Sequence, residues 1–159
     1  RRFVELIVKT MFGTITSKTI AILGFSFKAN TNDTRESPAI NICKKLIEEG
    51  AFLKIHDPKV KDSQVIKDLS EFNYLENNSL LDDSIIQKSW TFHNDIFEAV
   101  NDVDAIVILT EWDEYKTINW EEVYLKMRNP SWVFDTRGII DLKKIKKTSI
   151  NFWQLGNSN

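Results

Sequence analysis

Two short apolar runs flank a segment of helical periodicity, and this triplet constrains the fold more than any other feature of the chain. Thr19-Ile20-Ala21-Ile22-Leu23 is continuously apolar rather than alternating, which suits a strand buried on both faces. Ser37-Pro38 reads as a helix start, with Ser as N-cap and Pro at the first helical position. Ala39, Ile42, Cys43, Leu46 and Ile47 then fall on one helical stripe, and Gly50 supplies a stop. Phe52-Leu53-Lys54-Ile55-His56 reads as a second strand, closed by Asp57-Pro58. Strand, helix, strand is a βαβ unit, which requires parallel strands joined by a right-handed crossover.

The alternation continues. Strands are expected at Trp90–His93, Asp104–Thr110, Trp132–Phe134 and Phe152–Leu155, and helices at Asp95–Asn101 and Trp120–Met127. Phe3, Leu6, Ile7, Val8 and Met11 predict a helix before the first strand, ending at Gly13. The whole reads as an α/β three-layer sandwich around a mainly parallel sheet of five to six strands. Residues 61–89 fit this rhythm least and read as an insertion with some helix. The tail, Gly156–Asn159, is expected to fray.

Composition excludes several classes. A chain of 159 residues is one domain's length, and 42% hydrophobic with 28% charged residues is a globular profile. Net charge is −2, so no global field favours nucleic acid or an anionic membrane. No apolar run approaches the roughly 18 residues of a membrane span, and none of the Cys/His spacings suits zinc. The single cysteine, Cys43, lies on a helix's apolar stripe and reads as a core thiol, not a nucleophile. The first residues, Arg1-Arg2-Phe3-Val4-Glu5, lack a secretion signal's apolar core and an initiator Met, so a cytoplasmic piece of a longer chain is expected.

Ligands of open α/β sheets bind beyond the carboxyl ends of the strands. Three loops meet that condition: Gly24–Ser37, Thr110–Tyr115 and Asp135–Gly138. The first keeps Gly24 of a Gly-x-Gly-x-x-Gly fingerprint but has Ser26 and Ala29 at the other glycine positions. Standard dinucleotide binding is therefore not expected. The loop instead offers Lys28 and Arg35 beside a helix N-terminus, a set that suits a phosphate. Residue types alone favour solvated cations, or pairs with Asp33 and Glu36, over a phosphate site. Arg137, in the third loop, could reach the same crevice if its strand neighbours the first, or could pair with Asp135. Glu111 and Asp113 would repel a phosphate, so the second loop is assigned to packing and an interface. Asp57 stands where an acid can bind ribose, but a turn role before Pro58 is preferred. His56 and His93 read as strand-end residues, and Lys143, Lys144, Lys146 and Lys147 as a solvated helical face. A phosphoacceptor of the response-regulator type is excluded, because Leu23-Gly24 carries no acid pair.

The run Gly24-Phe25-Ser26-Phe27-Lys28-Ala29-Asn30-Thr31-Asn32-Asp33-Thr34-Arg35-Glu36-Ser37 resembles a signature of the UDP-glucose/GDP-mannose dehydrogenase family, loosely G-[LF]-x-F-K-x-x-T-x-D-x-R-E-S. The resemblance extends through His56-Asp57-Pro58, Thr110-Glu111-Trp112 and Phe134-Asp135-Thr136-Arg137 and covers nearly the whole chain. It implies a Rossmann-like C-terminal domain, residues 14–159, that binds a UDP-sugar, with residues 1–13 ending a linking helix. It implies an N-terminal domain of the same protein that holds NAD and a catalytic Cys, and a full-length homo-oligomer. The reaction it implies oxidises C6 of the sugar twice. By this resemblance Phe27, Lys28 and Arg137 contact the UDP-sugar, and Arg35 reaches NAD across the cleft. UDP-glucose is the substrate implied most directly; a UDP-N-acetylhexosamine, GDP-mannose or a non-catalytic nucleotide-binding or assembly module are the alternatives. The chain contains neither the dinucleotide fingerprint nor the Gly-rich cysteine context, so on its own it holds no catalytic residue and is expected to be inactive.

Overall fold

The computed structural model describes residues 2–75 and 83–156. The elements run α1 (Arg2–Thr10), β1 (Thr19–Leu23), α2 (Pro38–Glu48), β2 (Phe52–His56), α3 (Asp62–Leu75), α4 (Asp83–Lys88) and β3 (Trp90–His93). Then come α5 (Ile96–Val100), β4 (Ala105–Ile108), α6 (Asp113–Lys116), α7 (Trp120–Lys126), β5 (Trp132–Asp135), α8 (Leu142–Ile145) and β6 (Asn151–Gln154). The six strands form one sheet in the order β3-β2-β1-β4-β5-β6. Every pairing is parallel, so the sheet is parallel throughout rather than mainly so.

Alternate strand residues feed two cores, as the two-residue period of a strand requires. Ile20, Ile22, Leu53, Ile55, Val107 and Phe134 face α1 and α2, which contribute Val4, Ile7, Cys43 and Leu46. Ala21, Leu23, Ile106, Ile108 and Val133 face the other layer, filled by Val100, Tyr115, Trp120, Val123 and Ile145. Each fully buried Ile or Leu contributes about 1.5–3 kcal/mol, so both faces of the sheet anchor it.

The helix starts follow local chemistry. Ser37 caps α2, its Oγ accepting from Ala39 N at 3.2 Å. Asp95 caps α5 and Asn119 caps α7 in the same way. The first helix closes where expected: Gly13 takes φ +89° and its N–H donates to Val8 O.

One expectation needs correction. Residues 61–89 are not an insertion: β2 and β3 pair in parallel, Leu53 opposite Trp90, so the chain between them has to cross over the sheet. Helices α3 and α4 lie in that crossover. Residues 76–82 of the segment, and 157–159 of the tail, fall outside the described residues. The short helices α6 and α8 were legible only as a loop and a basic face. No helix among the described residues is long and apolar enough to cross a membrane.

Candidate functional site

The sheet order changes direction between β1 and β4, and this switch point opens the crevice where doubly wound folds bind ligands. The loops after β1, β4 and β5 border it. Leu23 pairs with Ile108 and Ile108 with Asp135, so the three loops leave the sheet at one level. β4 lies between β1 and β5, so the strands that lead into the Lys28 and Arg137 loops are not neighbours. Those strands are two strand spacings, roughly 10 Å, apart.

The loop after β1 hangs on Asp57. Its Oδ2 accepts from Phe25 N at 2.8 Å and Ser26 N at 3.0 Å, while Oδ1 accepts from Lys59 N at 2.8 Å and Val60 N at 2.9 Å. Asp57 is buried and serves the turn, as its place before Pro58 suggested, and the same carboxylate also reaches across to β1's loop. Gly24 takes φ +101°, and a Cβ there would collide with Thr110. Its N–H donates to His56 O at 2.8 Å. The N–H groups of Gly24, Phe25 and Ser26 are thus engaged within the domain.

Beyond that anchored base the loop closes on itself. Phe27 N donates to Asp33 O at 2.7 Å, Ser26 Oγ to Lys28 O at 2.8 Å, and Ser37 Oγ to Phe25 O at 2.8 Å. Phe25 and Ser26 are buried, and Phe27 and Lys28 emerge into solvent. Arg35 is 88% exposed and grips Asp33 through two contacts, Nε to Oδ1 at 3.0 Å and Nη2 to Oδ2 at 2.9 Å. Arg35's hydrogen bond holds the Asp33 carboxyl at about 2. Both groups are solvated, so the pair orders the loop more than it stabilises the fold.

The loop after β5 hangs on Asp135, a fully buried carboxylate. It accepts from the backbone N–H groups of Arg137 at 3.0 Å, Gly138 at 2.9 Å, Ile139 at 2.7 Å and Ile140 at 2.8 Å, and from Gln154 Nε2 at 3.0 Å. Asp135 holds Arg137's backbone, and the guanidinium turns elsewhere: Nη2 donates to Glu111 Oε2 at 2.8 Å. A cavity of about 320 Å³ opens beside Thr136 and Arg137, walled by Phe3, Ile42, Leu109 and Trp153.

The loop after β4 joins the other two. Thr110 is buried and its Oγ1 donates to Ser26 O at 3.1 Å. Trp112 is buried too, so the packing role expected of this loop holds. Glu111, set aside because acids repel phosphate, turns out to touch the third loop's arginine. The contact follows from the strand register, with Ile108 opposite Asp135 and Glu111 and Arg137 a few residues beyond each, and no local sequence signal marks it.

His56, Tyr115 and Cys43 are packed within the fold. His56 is buried, with Nδ1 2.8 Å from the Tyr115 hydroxyl. Its Nε2 lies 3.8 Å from Glu114 Oε2, yet burial dominates and pushes the imidazole below its ordinary range. Burial likewise pushes the Tyr115 hydroxyl and the Cys43 thiol up, which leaves Cys43 unreactive. His93 Nε2 sits 2.7 Å from Thr91 Oγ1 on the edge strand β3.

A doubly wound parallel sheet with cation-bearing loops at its switch point defines a nucleotide-binding class of α/β domain. The family model for the UDP binding domain of the UDP-glucose/GDP-mannose dehydrogenase family matches residues 21–142, and the chain belongs to that family. It is 40% identical to the UDP-glucose 6-dehydrogenase of Drosophila melanogaster over 98% of this chain and 32% of that protein. It is 44% identical to the Gallus gallus UDP-glucose 6-dehydrogenase over 89% of this chain and 27% of that protein. The chain thus spans about a third of the length of the curated relatives it matches. Among solved structures, a UDP-D-ManNAc dehydrogenase from Pyrococcus horikoshii superposes with a TM-score of 0.70 at 24% identity, covering 98% of this chain and 30% of that one. An NDP-N-acetyl-D-galactosaminuronic acid dehydrogenase from Methanosarcina mazei Go1 gives 0.72 at 16% identity, over 98% and 28%. These two likenesses carry the fold.

Proposed function

We propose that this chain is the UDP-sugar-binding domain of an NAD-dependent UDP-glucose 6-dehydrogenase, which converts UDP-glucose and two NAD to UDP-glucuronate and two NADH. The observation that carries the reading is the placement of Phe27 and Lys28 on one side of the switch point and Arg137 on the other, in a chain of a UDP-binding family. Lys28 and Arg137 supply the positive charge for a diphosphate, and the arginine's planar fork suits its oxygens. Phe27, partly exposed beside Lys28, supplies an apolar contact. Residues 14–159 form the binding domain, and residues up to Gly13 end a helix that links it to the rest of the protein.

NAD belongs mainly to an N-terminal domain of the same protein. The support is that the loop after β1 has Ser26 and Ala29 in place of the further fingerprint glycines and commits the Phe25 and Ser26 N–H groups to Asp57. Arg35, projecting from the loop, reaches that NAD across the cleft. The whole enzyme is a cytoplasmic homo-oligomer, and this chain alone forms no NADH from UDP-glucose.

Titration of the isotope-labelled chain with UDP, with AMP as control, tests the reading. Selective amide shifts at Phe27, Lys28 and Arg137 with UDP support it. Equal shifts with AMP, or a GDP-sugar outcompeting UDP-glucose, overturn the assignment of the nucleotide.

A further inference from the structure

We propose that Glu111 is a positioning residue: it fixes the Arg137 guanidinium in the orientation that receives the sugar nucleotide. The inference deepens the functional reading above and rests on Arg137 being a ligand of that nucleotide.

The geometry separates what holds Arg137's backbone from what holds its side chain. Asp135 fixes the backbone through the N–H groups of residues 137–140. The guanidinium, 36% exposed, gains its orientation from Glu111 alone among the described residues, at 2.8 Å. Glu111 is itself well placed to impose it. Its neighbours Thr110 and Trp112 are buried, and Thr110 is tied to Ser26, so the backbone under Glu111 is fixed from both sides. One guanidinium N–H group is engaged through Nη2, and the rest of the fork is left to phosphate oxygens.

Stability alone is a poor account of this pair. Glu111 Oε1 is buried and has no hydrogen-bond partner among the described residues, an arrangement that costs free energy. A carboxylate beside the arginine also lowers the positive charge offered to a diphosphate. What it gives in return is orientation, because an unfixed arginine surrenders its side-chain freedom on binding.

Gln and Ala at position 111 separate the two effects: both lack the opposing charge, and only Gln keeps an acceptor. We expect UDP to bind Glu111→Gln at least about fivefold more tightly than Glu111→Ala in the 159-residue chain. Without ligand, the Arg137 Nε–Hε group should stay rigid by heteronuclear NOE in the parent and in Glu111→Gln, and become mobile in Glu111→Ala. In an Arg137→Ala background the Gln-versus-Ala difference should vanish. Equal affinities for Gln and Ala, with Arg137→Ala still weakening UDP, overturn the role of Glu111 and leave the functional reading standing. So does a Gln-versus-Ala difference that persists without Arg137. Unchanged UDP binding in Arg137→Ala, or no saturable UDP binding by the parent chain, overturns the reading of Arg137 and this inference with it.

Discussion

The loops after β1 and β5 stand on opposite sides of the switch point, and each hangs on a buried carboxylate. They differ in how far that carboxylate reaches. Asp135 accepts from the backbone of its own loop, residues 137–140, and adds Gln154 from the neighbouring strand. Asp57 divides its oxygens between its own turn and a loop 31 and 32 residues away in sequence. One loop carries its own anchor; the other borrows it from β2. The backbone of Arg137 is therefore positioned by local chemistry, and the base of the Lys28 loop by the tertiary fold.

The largest test of that contrast is removal of the two anchors. Asp135→Ala strips five hydrogen bonds from a buried site and should cost about 4 kcal/mol, read by urea denaturation. Asp57→Ala should cost about 3 kcal/mol. Its amide perturbations should land on Phe25 and Ser26 as well as residues 59–60, whereas those of Asp135→Ala should stay near residues 137–140 and Gln154. Perturbations from Asp57→Ala that stop at residue 60 would break the contrast.

The two glycines sharpen it at a smaller scale. Gly24→Ala forces a Cβ into Thr110 at φ +101° and should cost about 2 kcal/mol or more. Gly138→Ala, at φ +69° with its nearest contact at 3.6 Å, should cost about 1 kcal/mol. Equal losses would mean that the approach of the first loop to β4 carries no weight.

His56 adds a pH dependence on the borrowed-anchor side. Burial holds its folded pKa below the ordinary 6.5, so the unfolded chain takes up the proton first as pH falls. Stability should be full above about 6.5 and decline below it. His93 is shifted the same way by burial but less enclosed. Urea midpoints at pH 7.5 and 5.5 should show the decline flattened more by His56→Gln than by His93→Gln.

The smallest effect is expected at Arg35. Its exposed grip on Asp33 should leave the melting temperature of Arg35→Ala unchanged. In the complete enzyme the same change should raise the KM for NAD more than that for the UDP-sugar.

The strands were legible because a buried parallel strand leaves a continuous apolar run, as in β1 and β4. Helix α2 announced itself by Ser37-Pro38. The β2–β3 crossover did not, because α3 buries Val65 and Leu69 while the polar residues around them blur the stripe. At the site, the position of the three loops beyond the strand ends was readable, and so was the turn role of Asp57. The partners were not. Whether Arg137 meets Asp135 or Glu111, and whether Asp57 holds Phe25, depends on which strands lie side by side, and no local spacing encodes that.

The engagement of Phe25 and Ser26 by Asp57 has one more consequence. One carboxylate ties the ends of two neighbouring parallel strands, so the first loop cannot lift from the sheet without breaking a contact made from the second strand's end.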